Sequence, residues 1–214
     1  MVDFQSRDTT RGTEAAETDE EEPPDEPASA DESADSQSAT AETPEQIDLS
    51  ELCYAIVTVA DDRSIAEDAQ GDVVLEAIEE DDGTVTTRDL IQPSYDSVQS
   101  TTTRLTDRDD VDVVVVIGGT GIEPDDVTVE AVEPLFSKQL PGFGELFRLL
   151  AHEDKGTAIV GTRTTAGVID NVPVFAVPGT IDGALLATDE IILPEAQSLV
   201  RDANGLDGSD RPDW

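Results

Sequence analysis

Positive charge is what this chain has least of. Lysine and arginine number 12 in 214 residues against 50 aspartates and glutamates, a formal net charge of −38. Only two of the cations are lysines, Lys138 and Lys155. A surface so poor in cations offers little to a nucleic-acid backbone or an anionic bilayer, so neither is an expected partner. Cysteine is nearly absent: Cys53 stands alone, which excludes an internal disulfide and a cysteine metal cluster. At the head of an apolar run it reads as a buried, inert thiol. The one histidine, His152, makes neither a metal site nor a triad and reads as surface. No basic segment precedes an apolar core at the N-terminus, and no apolar stretch approaches the roughly 18 residues of a membrane span. A soluble, cytoplasmic protein is expected.

The acid surplus is unevenly spread. Residues 1–46 carry a net −13, and the other 168 residues carry −25. Acid-rich, lysine-poor surfaces of this kind are similar to those of proteins that work in concentrated potassium salt. There the Debye length falls to about 3 Å and self-repulsion is screened. A halophilic protein whose fold needs molar salt is expected.

Residues 1–46 are Glu, Asp, Ser, Thr, Ala and Pro with almost nothing apolar, and cannot offset their ordering entropy. They are expected to be a disordered acidic tail, either solvating or recruiting partners. Residues 202–214 read the same way, leaving one domain over 47–201. Within it apolar runs alternate with helical patterns. Strands are expected at Cys53–Ala60, Thr84–Ile91, Val111–Ile117, Thr157–Gly161 and Val172–Val177. Helices are expected at Ala66–Glu80, Ser94–Leu105, Thr128–Phe136 and Gly144–His152, then at Ile181–Ile192 and Glu195–Arg201, split by Pro194. This rhythm implies an α/β fold with a mostly parallel central sheet and helices on both faces.

Ligands in such sheets bind beyond the carboxyl ends of the strands. Val111–Ile117 ends there in Gly118-Gly119-Thr120-Gly121, a turn in which glycines permit positive φ and bring N–H groups close to a ligand. It is neither a dinucleotide fingerprint nor a Walker A loop. Asp126, just beyond, either caps the next helix or holds Mg²⁺ beside bound phosphates. Leu140-Pro141-Gly142-Phe143-Gly144-Glu145 is either a plain loop-to-helix junction or an anion-receiving turn, with Glu145 expected in the first helical turn. Pro178-Gly179-Thr180 follows another strand, and Thr180 is either an N-cap or part of the anion site. Arg163, expected just after a strand in Thr162-Arg163-Thr164, suits bidentate recognition of an anion or a surface salt bridge.

Taken in order, these segments resemble the MoaB/MogA family of molybdenum cofactor biosynthesis proteins. The likeness runs from about Tyr54 to Val200. It rests on Ala60-Asp61-Asp62-Arg63-Ser64 with Asp68 and Gly71, the Gly-Gly-Thr-Gly turn with Asp126-Val127-Thr128, Leu-Pro-Gly-Phe-Gly-Glu, Thr162-Arg163-Thr164 with Ala166-Gly167, and Pro178-Gly179. The resemblance implies a MogA-like molybdopterin-binding fold, a three-layer α/β/α arrangement, and a homotrimer or higher assembly. It also implies Mg²⁺- and ATP-dependent adenylylation of molybdopterin, followed by a molybdate-inserting partner of the same pathway. By the same analogy Asp126 is the catalytic and metal-holding carboxylate. Asp61, Gly118, Gly119, Thr120, Gly121, Pro141, Gly142, Gly144, Glu145, Arg163, Pro178, Gly179 and Thr180 would contact the ligand.

The chain departs from the family pattern in places. Ala60 and Gln70 stand where serine is frequent, and Thr180 follows Pro-Gly where serine is usual. A second carboxylate frequent after the second strand is missing from Ile91-Gln92-Pro93-Ser94-Tyr95-Asp96, or displaced to Asp96. Its loss leaves a non-catalytic molybdopterin-binding or carrier protein as the alternative function.

Overall fold

A computed structural model describes residues 49–206 of the chain. The expected tail 1–46, and residues 207–214 of the expected tail 202–214, lie outside the described residues. The first strand, β1 (Cys53–Val59), leads through a short 3-10 turn at Ile65–Glu67 into α1 (Ala69–Glu80) and β2 (Thr84–Ile91). Next come α2 (Tyr95–Thr106), β3 (Val113–Ile117), α3 (Thr128–Val132), β4 (Lys138–Gln139) and α4 (Pro141–Lys155). A hairpin of β5 (Thr165–Ile169) and β6 (Val172–Val177) follows, then α5 (Ile181–Ala187) and α6 (Leu193–Ala203).

The six strands form one sheet in the order β2-β1-β3-β6-β5-β4. β2, β1, β3 and β6 run parallel, and β5 and β4 add antiparallel at one edge. The β5–β6 hairpin turns on Asp170 and Asn171, both at positive φ, the pairing that a two-residue turn between twisted strands demands.

Successive strand residues point to opposite faces, and each face has its own core. On one, Tyr54, Ile56, Val113, Val115, Phe175 and Val177 meet Val74 and Ile78 of α1, Phe143 and Phe147 of α4, Ala184 of α5 and Val200 of α6. On the other, Ala55, Val57, Val114, Val116 and Val174 meet Val98 and Leu105 of α2 and Ala131 and Val132 of α3. Every residue of β3 is buried because both its faces are covered, which explains the unbroken run of β-branched residues. Each buried Val or Ile contributes about 1.5–3 kcal/mol.

Several sequence-based expectations need correction. Thr157–Gly161 is not a strand. It lies in the 3-10 segment Gly156–Gly161, and Val160 is 83% exposed. The strand is instead Thr165–Ile169, which finds partners on both sides in β4 and β6. The β-propensity of the earlier run is overridden, for it pairs with no strand among the described residues. Thr162-Arg163-Thr164 therefore precedes a strand rather than following one.

Pro141 and Gly142 belong to the first turn of α4, where proline's missing N–H costs nothing. Glu145 consequently stands beyond the first turn, away from its expected place at the helix start. Pro194 does not split two helices: α5 passes through a π turn at Thr188–Ile192 directly into α6, whose first turn accommodates the proline. α6 continues to Ala203, so the boundary after residue 201 falls inside a helix. Thr128–Phe136 is helical only to Val132, before a 3-10 turn at Glu133–Leu135. Among the described residues, no helix is long and apolar enough to cross a membrane.

Candidate functional site

The chain passes from β1 to β2 on one side and then returns to β3 on the other side of β1. That reversal opens a crevice at the carboxyl ends of β1 and β3, the place where open α/β sheets bind ligands. Gly118 fills its floor. Its N–H donates to the Val177 carbonyl at 3.0 Å, and a Cβ there would sit 2.9 Å from the Val59 carbonyl oxygen. A Cβ on Gly179 would come within 3.1 Å of the Gly118 Cα. The turns after β1, β3 and β6 thus meet at a point where no side chain fits.

The glycine turn takes a shape that only glycine adopts without cost. Gly118 and Gly119 adopt φ of 98° and 65°. The N–H groups of Gly119, Thr120 and Gly121 make no hydrogen bond to another described residue. The Gly119 carbonyl is held by the Thr128 N–H at 3.0 Å. A Cβ on Gly119 would strike the Thr128 hydroxyl, which is buried and without a hydrogen-bond partner. Backbone donors left open beside a buried free hydroxyl suit an anion.

Asp126 is half-buried and closes the loop on itself: its Oδ2 accepts from the Glu123 N–H at 2.8 Å. It does not cap α3, whose N-cap is Val127 with no side-chain bond. Oδ1 accepts from no described residue. A Cβ on Gly121 would collide with this carboxylate, so glycine at 121 is what lets Asp126 fold over the turn.

Arg163 is not a free anion receptor. Its own N–H donates to the Thr120 carbonyl at 2.9 Å, Nε to the Gly121 carbonyl at 2.6 Å and Nη2 to the Asp126 carbonyl at 2.9 Å. Nη1 pairs with Glu130, and that bond pulls the Glu130 carboxyl below its ordinary range. Arg163 therefore holds the 120–126 loop together.

The other predicted residues divide among neighbouring places. Pro141, Gly144, Glu145 and Arg163 line a cleft of about 460 Å³ between α4 and β5. Gly142 is exposed, and its Cβ position touches nothing within 4 Å. Pro178 and Thr180 line a second cleft, of about 520 Å³, which shares Thr162 with the first. Thr180 caps α5 by accepting from the Gly183 N–H. Asp61 is exposed beyond β1 and makes no hydrogen bond to a described residue. Asp96 lines a groove along α2 with Gln99, Ser100 and Arg104, sharing no residue with either cleft or the glycine turn.

Asp68 and Gly71 play a structural part. Asp68 is fully buried, accepts from Thr58, Arg88 and the Gly71 N–H, and so fixes the start of α1. Gln70, beside it, bridges two distant segments. Its Nε2 donates to the Gly179 carbonyl at 3.1 Å while its Oε1 accepts from Arg63 Nη1 at 2.5 Å. A contact spanning 109 positions leaves no local sequence signal.

Cys53 is half-buried rather than fully buried, and burial, reinforced by Asp112, pushes its thiol pKa up, which keeps it protonated and unreactive. Among the described residues, no group of three or more histidines, cysteines or carboxylates converges as a metal cage. A Mg²⁺ ion, however, needs only one or two carboxylates beside substrate phosphates, and the open Oδ1 of Asp126 fits that role.

Residues 55–198 match the family described as "Probable molybdopterin binding domain". The chain is 38% identical over 148 residues to "Molybdenum cofactor biosynthesis protein B" of Bacillus subtilis, covering 69% of this chain and 87% of that one. A crystal structure of a molybdenum cofactor biosynthesis protein B superposes with a TM-score of 0.70 at 33% identity, over 77% of this chain and 99% of the other. The tungsten cofactor synthesizing protein MoaB of Pyrococcus furiosus gives 0.64 at 32% identity, over 72% and 97%.

Proposed function

The chain belongs to the MoaB/MogA family of molybdenum cofactor biosynthesis proteins, and on that premise we propose that it adenylylates molybdopterin. Its place in molybdenum cofactor biosynthesis follows from the family. The transfer step is carried by one observation: the unengaged N–H groups of Gly119, Thr120 and Gly121 lie on the loop that folds the Asp126 carboxylate over them.

The terminal phosphate oxygen of molybdopterin attacks the α-phosphorus of ATP. A new P–O–P bond forms, the α–β bridge breaks, and pyrophosphate leaves with the electron pair. No protein nucleophile is needed, so the site's work is positioning and charge neutralisation. The glycine turn receives phosphate oxygens on neutral N–H donors. Asp126 would hold Mg²⁺ through Oδ1, and the ion's contribution when bound is to neutralise phosphate charge. Arg163 holds Asp126 and Gly121 in register, and Gly118 and Gly179 keep the approach free of side chains.

A second reading, a non-catalytic pterin carrier, is favoured by the separate groove of Asp96, which leaves Asp126 as the one predicted metal carboxylate at the turn. AMP transfer measured in molar KCl separates the two. We expect Mg²⁺-dependent formation of adenylyl-molybdopterin, lowered about 100-fold or more in Asp126→Ala. Absence of transfer by the native protein, with pterin binding intact, would sink the enzymatic reading and leave the carrier.

We further read the sheet with a helix set on each face as a three-layer α/β/α domain, and the working form as a cytoplasmic trimer. Light scattering in molar KCl checks the assembly. The product is the substrate for a molybdate-inserting partner.

A further inference from the structure

The cleft between α4 and β5 contains a charged pair that does not meet. Arg148 of α4 is half-buried and makes no ion pair or hydrogen bond with any described residue. Arg63, Arg88, Arg104, Arg108 and Arg163 each pair with a carboxylate, whereas Arg148, like Arg201 of α6, pairs with none among the described residues; of these two only Arg148 lines a cleft. Glu133, at the start of the 3-10 turn after α3, is also half-buried and lines the same cleft. Its Oε1 accepts from the Thr165 hydroxyl at 3.1 Å, and Oε2 has no partner among the described residues. Arg148 and Glu133 are farther apart than an ion pair allows, with the cleft bordered by both. A third polar group joins them. Thr164, 4% exposed, borders the cleft, and its hydroxyl has no hydrogen-bond partner.

Gly144 keeps the guanidinium where it is. A Cβ at 144 would stand 3.0 Å from Arg148 Nη1 and 2.6 Å from the Thr164 carbonyl oxygen, so any side chain there would displace both walls. Half-burying an unpaired guanidinium and a carboxylate costs free energy unless a ligand supplies the missing bonds.

An oxyanion suits Arg148 but is repelled by Glu133 and by Glu145 on the same cleft. A flat, uncharged ring with side-by-side N–H donors next to a carbonyl satisfies both charges. The carboxylate accepts the paired N–H groups and the guanidinium donates to the carbonyl. That is the 2-amino-4-oxo edge shared by pterins and guanine. At about 460 Å³ the cleft has room for such a ring.

We propose that the α4–β5 cleft, through Glu133 and Arg148, binds the 2-amino-4-oxo edge of the substrate's pterin ring. This deepens the molybdopterin reading above and rests on it for the choice of pterin over guanine. Arg163 borders this cleft and grips the glycine-turn loop, so the ring lies on one side of Arg163 and the reacting phosphate on the other.

The test is a fluorescence titration of the full chain in molar KCl with pterin, with lumazine (which has a carbonyl in place of the 2-amino group), and with guanosine. Pterin is expected to bind, and lumazine at least about tenfold more weakly, because its edge no longer offers paired donors to the carboxylate. Glu133→Gln and Arg148→Gln are each expected to weaken pterin about tenfold or more, at melting temperatures near that of the native chain. Arg148→Lys is expected to restore only part of the loss, since an ammonium lacks the planar fork. Should Arg148→Gln fail to fold, Glu133→Gln with the lumazine comparison decides alone. Equal affinity for pterin and lumazine, pterin binding indifferent to both substitutions, or tighter binding of guanosine than of pterin would overturn the proposal. Loss of adenylyl transfer with this binding pattern intact would overturn the enzymatic reading and leave the pterin cleft standing.

Discussion

Arg163 donates through Nε to the backbone carbonyl of Gly121 at 2.6 Å, across 42 positions of the chain. With Nη2 on the Asp126 carbonyl it spans both ends of the loop that presents Asp126. Arg163→Lys replaces a planar fork by a point charge that cannot reach both carbonyls and Glu130 together. We expect faster amide hydrogen exchange across residues 119–126 with little change elsewhere. Unchanged exchange there would show that the backbone bond from the Arg163 N–H to Thr120 holds the loop unaided.

Gly119 combines a φ of 65° with a neighbouring Thr128 hydroxyl that leaves no room for a Cβ. Gly119→Ala is expected to destabilise the fold by about 1–3 kcal/mol and to abolish phosphate-dependent binding. Chemical denaturation gives the first figure and a binding titration the second. Native affinity in this variant would remove the glycine turn from the site.

Asp112 is half-buried, and burial raises its carboxyl pKa above the ordinary 3.8, opposed by the bond it accepts from the Cys53 N–H. A raised acid stabilises the fold while protonated; that contribution is lost as pH rises through the folded value. At neutral pH the charge is therefore a cost. Asp112→Asn keeps an acceptor for Cys53 and should melt higher than the native chain at pH 7, with the gap narrowing as pH falls toward 3.8. A lower melting temperature at pH 7 would reverse the sign and refute the burial argument.

A formal charge of −38 opposes folding in dilute buffer and is screened at a Debye length of about 3 Å in 1 M salt. Melting temperature should climb steadily with KCl into the molar range. A flat profile would mean that the described fold tolerates its own charge.

Asp68 is fully buried with Arg88, Thr58 and the Gly71 N–H on its oxygens. Asp68→Ala leaves Arg88 paired with Asp72 but takes the partner from the Thr58 hydroxyl and uncaps α1, at an expected cost of about 2–4 kcal/mol. Urea unfolding measures it. A loss below about 1 kcal/mol would mean that water replaces the carboxylate.

Composition and local pattern by themselves determined a good deal. Thr84–Ile91 is a strand with the expected bounds, beginning where Gly83 ends the helix before it, and Val113–Ile117 is the doubly buried strand that its β-branched run demanded. The turns at Gly118 and Pro178 announced themselves because glycine and proline act on their own φ angles, whereas Pro141 opens α4. Tertiary structure decided the rest. Thr157–Gly161 had strand propensity and no strand to pair with, whereas Thr165–Ile169, interrupted by Gly167, had two. Arg163 suited an anion or a surface salt bridge equally, and only the fold put Gly121, Asp126 and Glu130 on its nitrogens. Arg148 and Glu133 gained meaning only when α4 and the turn after α3 brought them to one cleft. Propensity and turn chemistry act over a few residues and can be read in order. The company a side chain keeps is set by packing between distant segments, and no local pattern carries it.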